Sequence, residues 1–481
     1  MPIPLIFELD RPGVRSGYIP KSDLPEEVPG PSDELLRKEL DLPQVAEPEV
    51  VRHFINLSVL NHHVDRGFYP LGSCTMKYNP KVNESLAALP GFAGLHPHQP
   101  ASTIQGALEL MATLERWLCE LTGLGAVSLQ PAAGSHGELT GMFITRAWHD
   151  SRGDRRNKVL IPDSAHGTNP ASIVMAGYEP LPVPSDARGR IDLEALRREL
   201  SPDVAALMVT NPNTLGLFED RIDEIADAVH EAGALLYMDG ANMNALVGLA
   251  RPGDMGFDIV HLNLHKTFST PHGGGGPGSG PVAVVSQLEP FLPLPRIRRL
   301  EDGSLDWDRD RPLSIGKVHG FYGNFAILVR AAAYIRSLGG EGLKRAAETA
   351  ILNANYLRAK LTQAYKLPYA DLCMHEVVFS ADNQGEKGAK AVDIAKRLLD
   401  FGYHAPTVNF PLIVHQALMI EPTETETLDT LNAFVEAMLQ IDEEARNCPE
   451  RLFEAPHNTP VARLDEATAA RQLDICHRDE R

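Results

Sequence analysis

The sequence of 481 residues predicts an α/β fold with a mostly parallel sheet. Short apolar runs, typical of buried strands, alternate with stretches of helical periodicity, and this order favours parallel strands covered by helices. Strands are predicted at residues 126–129, 159–161, 204–210, 235–239 and 259–262. Helices are predicted at residues 102–120, where Ser102 is the expected N-cap, and at 138–148, 193–200 and 221–232.

The length of the chain indicates two or three domains. Residues up to about 49 are rich in proline and charge and predict an extended arm, which continues into a loop segment to give a first region, 1–95. The alternating segments form a predicted large domain, 96–325. Long helices at 325–338 and 343–365, a strand at 377–379 and a helix at 389–399 predict a smaller C-terminal α+β domain, 326–481.

The formal net charge of −19, without a long basic run, argues against binding to nucleic acid or to an anionic membrane. The first ten residues lack the basic segment of a targeting peptide, and no apolar stretch reaches membrane-spanning length, so a cytoplasmic protein is expected. Five cysteines, odd in number and far apart without a CxxC pair, favour reduced thiols over disulfides or a zinc site. We expect no bound metal.

Two side chains at predicted strand ends indicate a cofactor. Lys266 follows the predicted strand 259–262, and Asp239 ends the preceding one, so both lie at the carboxyl edge where open α/β sheets bind ligands. Lys266 is expected on a loop, and a glycine-rich run, 273–278, comes soon after it. Pyridoxal phosphate (PLP) requires a lysine for its aldehyde and an acidic partner for its ring nitrogen. The pair therefore predicts a PLP site.

The phosphate of such a cofactor needs backbone N–H groups at the start of a helix. Gly134, Ser135 and His136 lie between a predicted strand and a predicted helix and are the expected phosphate site, although a plain strand-to-helix turn is the alternative. His166 follows another strand end, where its ring could stack on the pyridine or simply cap the next helix. Thr210 ends a further strand, and either Thr210 or Asn211 could reach the phenolic oxygen of the cofactor ring.

Five segments in order resemble the glycine cleavage system P-protein family, whose members are glycine dehydrogenases (decarboxylating). These are 71–80 (LGSCTMKYNP), 98–106 (HQPASTIQG), 130–137 (QPAAGSHG), 238–244 (MDGANMN) and 261–268 (HLNLHKTF). The resemblance implies a fold type I PLP enzyme that decarboxylates glycine, releases CO2 and transfers the aminomethyl group to the lipoyl arm of the H-protein. A chain of this length that keeps the lysine resembles subunit 2, which implies subunit 1 as a partner in a dimer of heterodimers.

The resemblance also implies residue roles. Lys266 would attach to the cofactor aldehyde, Asp239 would pair with the pyridine nitrogen and His166 would stack on the ring. Residues expected to contact the cofactor further are Gly134, Ser135, His136, Thr210, Ala241, Asn263 and His265. Lys77 and the segment 96–103 are expected at the mouth of the site, with Lys77 as a solvated loop residue that receives no role.

Other functions fit parts of the sequence less well. A serine hydrolase would use an elbow at 133–137 and a histidine–glycine run at 272–275, but that fold places the run before the elbow, and here it follows. Another fold type I decarboxylase or aminotransferase, and a scaffold subunit without catalysis, remain as alternatives. Retention of both Lys266 and Asp239 argues against the scaffold.

Overall fold

The structure, a computed structural model, describes residues 3–14, 23, 30–37, 40, 42–272 and 276–475. The chain forms two compact units, Met1–Arg66 and Gly67–Arg481. In the first unit the described elements are two short 3-10 turns and the helix α1 (Glu47–Ser58). The predicted extended arm falls partly outside the described residues.

The second unit contains the strands β1 (Ala126–Ser128), β2 (Lys158–Pro162), β3 (Glu179–Val183), β4 (Val204–Thr210), β5 (Leu235–Gly240), β6 (Ile259–Leu262), β7 (Val282–Val284), β8 (Arg296–Arg299), β9 (Leu305–Asp308), β10 (Val377–Ser380), β11 (Thr407–Val408) and β12 (Ala417–Ile420). Its helices are α2 (Lys81–Ala87), α3 (Pro90–Ala93), α4 (Gln105–Thr122), α5 (Gly134–Ser151), α6 (Thr168–Met175), α7 (Leu193–Glu199), α8 (Ile222–Glu231), α9 (Leu264–Thr267), α10 (Phe325–Leu361), α11 (Asp382–Gly385), α12 (Ala391–Asp400), α13 (Leu428–Asn447), α14 (Glu450–Phe453) and α15 (Glu466–Arg471).

The large sheet has the strand order β1-β7-β6-β5-β4-β2-β3. The strands from β6 to β3 run parallel to one another, and β7 is antiparallel to both of its neighbours. Side chains of β4 alternate between two buried cores, with Leu207 and Val209 on one face and Ala206 and Met208 on the other. The prediction of an α/β fold with a mostly parallel sheet is therefore confirmed.

Two predicted helix starts are wrong. Ser102 lies in a 3-10 turn, Ala101–Thr103, and α4 begins three residues later without a side-chain cap. The helix predicted from residue 138 begins at Gly134, so the predicted phosphate residues lie inside its first turn. β3 contains two prolines and was not predicted as a strand. The prolines are tolerated because β3 is one of the two edge strands of the sheet.

A second, three-stranded antiparallel sheet has the order β10-β12-β11. Its core includes Phe379 from β10 and Phe434 from α13, both fully buried. The two long helices predicted after residue 325 form α10, which is interrupted at Gly339, where a positive φ of 61° breaks the helical path. The domain boundaries at 95/96 and 325/326 stay a prediction.

No helix among the described residues is long and apolar enough to cross a bilayer.

Leu207→Ala tests the central position of β4. The side chain is 0% exposed, so its truncation leaves a cavity, and we expect a loss of about 2–5 kcal/mol in the free energy of unfolding. Leu352→Ala on α10 is the matched control, because Leu352 is 68% exposed and should change stability by less than about 0.5 kcal/mol. Guanidinium unfolding of the two variants measures both effects. Equal losses would contradict the placement of β4.

Candidate active site

The carboxyl ends of β5 and β6 bring the two predicted key residues to one edge of the sheet. Asp239 lies near the end of β5, opposite His261 of the neighbouring strand β6. Lys266 follows β6 directly. It was expected on a loop, but the structure places it in the short helix α9, with Asn263 as the N-cap residue. Lys266 is only 9% exposed, and its Nζ donates to the carbonyl oxygen of Ser73 at 2.7 Å.

The carboxylate of Asp239 is buried and has several partners. Its Oδ2 accepts a hydrogen bond from the side-chain amide of Asn169 at 2.9 Å, and its Oδ1 accepts one from the backbone N–H of Ala241 at 2.9 Å. Burial alone would raise the pKa of Asp239, but His261, these two donors and the charge of Lys266 hold that pKa below its usual value. Asp239 is therefore ionised at neutral pH.

A polar network behind Asp239 was not predicted. Nε2 of His261 lies 3.2 Å from Asp239 Oδ1, and Nδ1 of His261 is 2.8 Å from the hydroxyl oxygen of Tyr237. Glu138 of α5 is buried nearby and accepts a hydrogen bond from the hydroxyl of Thr168 at 2.8 Å. The signal was available in part, because Asp239 and His261 both lie near the ends of predicted strands that are consecutive in the sequence. The position of Glu138 near Asp239 could not be predicted, because the start of α5 was not predicted correctly.

Glu138, Asp239 and His261 lie close enough to one another, within 4.8 Å, to hold a metal ion. Glu138 and Asp239 already accept hydrogen bonds from neighbouring side chains, and His261 contacts Tyr237. We interpret the group as the hydrogen-bonding support of Asp239.

The first turn of α5 contains the predicted phosphate residues. Its N-cap is Ala133, whose side chain cannot accept the free N–H groups of that turn. A Cβ atom added to Gly134 would lie 2.4 Å from Oδ1 of Asn263. Glycine therefore permits the start of α5 to approach Asn263, which precedes α9. Ser135 is exposed, and Nδ1 of His136 accepts a hydrogen bond from the N–H of Ala132 at 3.1 Å. The turn offers N–H groups to an anion beside Asn263.

His166 lies between β2 and α6 and is half-buried. Its Nδ1 accepts a hydrogen bond from the N–H of Thr168 at 3.3 Å, so it does contact the first turn of α6, which was one of the two interpretations. Its ring also lies edge-on to Phe410, with 5.8 Å between ring centroids. Stacking on a cofactor ring stays a prediction.

The remaining predicted contacts also lie at this edge. Thr210 of β4 is buried beside Asp239 in register. His265 accepts a hydrogen bond from the N–H of Ser279 at 3.3 Å and has His272 edge-on at 4.8 Å. Burial, and then the charges of His272 and Lys266, lower the pKa of His265 to about 3. Gly273–Gly275 of the predicted glycine-rich run lie outside the described residues.

Several buried polar atoms at this edge have no hydrogen-bond partner within the part of the chain that the structure describes. These are Asn169 Oδ1, Thr210 Oγ1, Asn242 Oδ1, Asn263 Oδ1, Thr267 Oγ1 and His272 Nε2. Buried polar groups in proteins nearly always have partners, so such a cluster fits a polar ligand. A lysine, an ionised carboxylate and a helix N-terminus around it are the donor and acceptor set that PLP requires.

The expectation for Lys77 is wrong. Lys77 was expected to be a solvated lysine at the mouth, yet it is 2% exposed. Its Nζ forms an ion pair with Glu424 at 2.7 Å and donates to Asn244 and to the carbonyl oxygen of Thr267, both at 2.8 Å. A buried charge requires such pairing, and loop residues near an active site are often enclosed in this way. The placement of residues 96–103 at the mouth stays a prediction.

Comparisons with known proteins agree with this geometry. The family model described as glycine cleavage system P-protein matches residues 18–297, and the model described as glycine dehydrogenase, C-terminal domain, matches residues 346–462. Among solved structures, a glycine decarboxylase (P-protein) of the glycine cleavage system in inhibitor-bound form superposes with a TM-score of 0.72 at 23% identity, covering 85% of this chain and 93% of that one. A cysteine desulfurase from Thermococcus onnurineus superposes with a TM-score of 0.61 at 15% identity, covering 79% and 95%.

Curated relatives are much more similar in sequence. A probable glycine dehydrogenase (decarboxylating) subunit 2 from Caldanaerobacter subterraneus subsp. tengcongensis is 58% identical over 471 residues, 97% of each chain. A protein of the same description from Chloroherpeton thalassium is 58% identical over 479 residues, covering 98% of this chain and 97% of that one. With a family model over more than half of its length and relatives that align from end to end, the chain belongs to the glycine cleavage system P-protein family.

Proposed function

We propose that this chain is the cofactor-bearing subunit of a glycine dehydrogenase (decarboxylating). It would decarboxylate glycine with PLP, release CO2 and pass the aminomethyl group to the lipoyl arm of the H-protein. The relatives described as subunit 2 of this enzyme support the proposal. The observation that carries it is the placement of a buried lysine and an ionised carboxylate at the ends of adjacent parallel strands.

When bound, PLP supplies an electron sink for the electrons that remain when the carboxylate of glycine leaves as CO2. Lys266 would hold the cofactor through its aldehyde. Asp239, kept ionised by His261 and Asn169, would retain a proton on the ring nitrogen. Without that proton the ring would accept electrons poorly, so Asp239 controls the chemical step through its charge.

The other predicted residues have proposed roles in holding the cofactor. The first turn of α5, with Gly134, Ser135 and His136, would bind the phosphate through its N–H groups. His166 would cover one face of the ring. Thr210, Ala241, Asn263 and His265 would complete the contacts, and the unpartnered oxygens of Thr210 and Asn263 support this part of the proposal.

The description of the relatives as subunit 2 supports subunit 1 as a partner of this chain. A dimer of two such pairs, and the lipoylated H-protein as acceptor, are part of the same proposal. So is a cytoplasmic location, since the four cysteines that the structure describes are free thiols, as is usual in a reducing compartment. Cys476 lies outside the described residues.

Release of labelled CO2 from carboxyl-labelled glycine tests the function. The purified chain, combined with subunit 1, PLP and lipoylated H-protein, should release label from glycine and not from other amino acids. Release from a larger amino acid would favour another fold type I decarboxylase. Binding to subunit 1 without any release would favour the scaffold.

Asp239→Asn should lower the rate of CO2 release at least about a hundredfold, because the amide cannot stabilise the charged ring nitrogen. Asp227→Asn, an exposed aspartate on α8, is the control and should retain the original rate. Both variants are assayed with labelled glycine after circular dichroism has shown that they fold. An Asp239→Asn variant with the original rate would contradict the role of Asp239.

His265 should stay neutral across the working range of pH. Because burial lowers its pKa to about 3, the ring takes up a proton only as the pH falls toward that value. NMR of ring-labelled histidine, with the signal assigned from His265→Asn, should show no titration of His265 between about pH 5 and 8. A titration midpoint inside that range would show that the ring is more solvated than the structure places it.

A further inference from the structure

The helix α9, which carries Lys266, is a single turn of four residues. One turn forms too few hydrogen bonds of its own to be stable, so contacts from elsewhere in the chain must hold it. The last carbonyl oxygens of a helix have no partner inside that helix. The position of Lys266 therefore depends on what binds the C-terminal end of α9.

The segment 77–79 lies along this end of the helix. Nζ of Lys77 donates to the carbonyl oxygen of Thr267 at 2.8 Å, one residue beyond the key lysine. The hydroxyl of Ser269 donates to the carbonyl oxygen of Tyr78 at 2.6 Å. Two neighbouring contacts thus join the segment to the end of α9, and the first of them comes from a charged side chain.

Lys77 is itself held by three other side chains. Its Nζ forms an ion pair with Glu424, in the loop after β12, at 2.7 Å, and donates to Asn244, shortly after β5, at 2.8 Å. It also lies 3.3 Å from the hydroxyl oxygen of Tyr334 on α10. The second carboxylate oxygen of Glu424 accepts the side-chain amide of Asn244 at 3.2 Å. Nζ of Lys77 therefore has a defined place once these three parts of the chain are assembled.

Both members of the ion pair are charged. Burial opposes the charge of each group, but the charge of the partner outweighs it, so the pKa of Lys77 lies above its usual value and the pKa of Glu424 lies below. A hydrogen bond from an ammonium group is stronger than one from a neutral donor. The bond from Lys77 to the carbonyl oxygen of Thr267 is therefore a strong contact of α9.

We propose that Lys77 is a positioning residue for Lys266: its ammonium group binds the carbonyl oxygen of Thr267 and so holds the turn that carries Lys266, while Glu424 keeps that ammonium group in place. The inference rests on the proposed role of Lys266 as the residue that attaches to the cofactor. A purely structural role would differ, because Lys77 would then serve only to neutralise the buried carboxylate of Glu424.

Hydrogen–deuterium exchange of the full-length, cofactor-free chain, measured by mass spectrometry, separates the two roles. The N–H groups of residues 266–269 all donate to carbonyl oxygens of residues 263–266, so a peptide that covers them reports opening of the turn. A peptide that covers β4 reports opening of the large sheet, since that strand is buried throughout. The exchange rate of the α9 peptide is expressed relative to that of the β4 peptide.

Glu424→Gln and the double variant Lys77→Met/Glu424→Gln form the matched pair, because they differ only at residue 77. Lys77 can still donate to Thr267 in the first variant, and methionine cannot in the second. We expect the relative exchange rate of the α9 peptide to be about tenfold faster or more in the double variant, since a hydrogen bond from a charged donor changes an equilibrium by that order.

Two further variants separate this effect from a general loss of stability. Lys77→Met alone should show the same relative rise and also a lower overall stability, because Glu424 is left buried without its partner. Arg397→Met removes the cation of a second buried ion pair, with Glu444 at 2.8 Å. It should lower overall stability and leave the relative exchange rate of the α9 peptide unchanged.

Equal relative exchange in Glu424→Gln and in the double variant would overturn the proposal, because removal of Nζ at residue 77 would then leave α9 as it was. A relative rise of the same size in Arg397→Met would overturn it as well, since loss of any buried ion pair would then have this effect. The double variant leaves no unpaired charge, so the comparison holds even if Lys77→Met alone does not fold. Exchange is measured without PLP and without glycine, so its result is independent of CO2 release and of the proposed function.

Discussion

The burial of Lys266 is the constraint on which the rest of the site depends. A polar nitrogen enclosed to this degree is costly unless hydrogen-bond acceptors surround it. The Ser73 carbonyl supplies the acceptor, and Asp239, Glu376 and Glu421 supply carboxyl groups in its field. Each comes from a different part of the chain, so the lysine is stable in its place only when those parts are assembled.

This dependence links the two sheets. Asp239 belongs to the large parallel sheet, whose strand ends meet at one edge as in other open α/β folds. Glu376 and Glu421 flank the strands β10 and β12 of the small antiparallel sheet. They accept the N–H groups of Ser73 and Thr75, in the turn whose Ser73 carbonyl oxygen binds Lys266. Damage to the register of β10 and β12 is therefore expected to disturb a lysine on the far side of the turn. The site is a product of both sheets, although its proposed chemistry resides in the large one.

The sequence predicted the strand ends well and the enclosed polar contacts poorly. Apolar runs followed by Asp239 and Lys266 identified the carboxyl edge of the large sheet. This was possible because the apolar pattern of a buried strand is a local property of the sequence. Lys77 was assigned to solvent because a loop lysine usually is solvated, and its pairing with Glu424 joins residues far apart in the chain. Strand register places His261 beside Asp239 and Glu376 beside Glu421, and one sequence without its fold does not specify that register.

Borohydride reduction followed by peptide mapping tests the central assignment most directly. The purified chain, alone and with subunit 1, is incubated with PLP, its visible absorbance is recorded, and it is reduced and digested. The proposed role of Lys266 predicts a visible band and a cofactor fixed to the peptide that contains Lys266. A cofactor found on Lys77 or on a surface lysine, or none retained even with subunit 1 present, would contradict it.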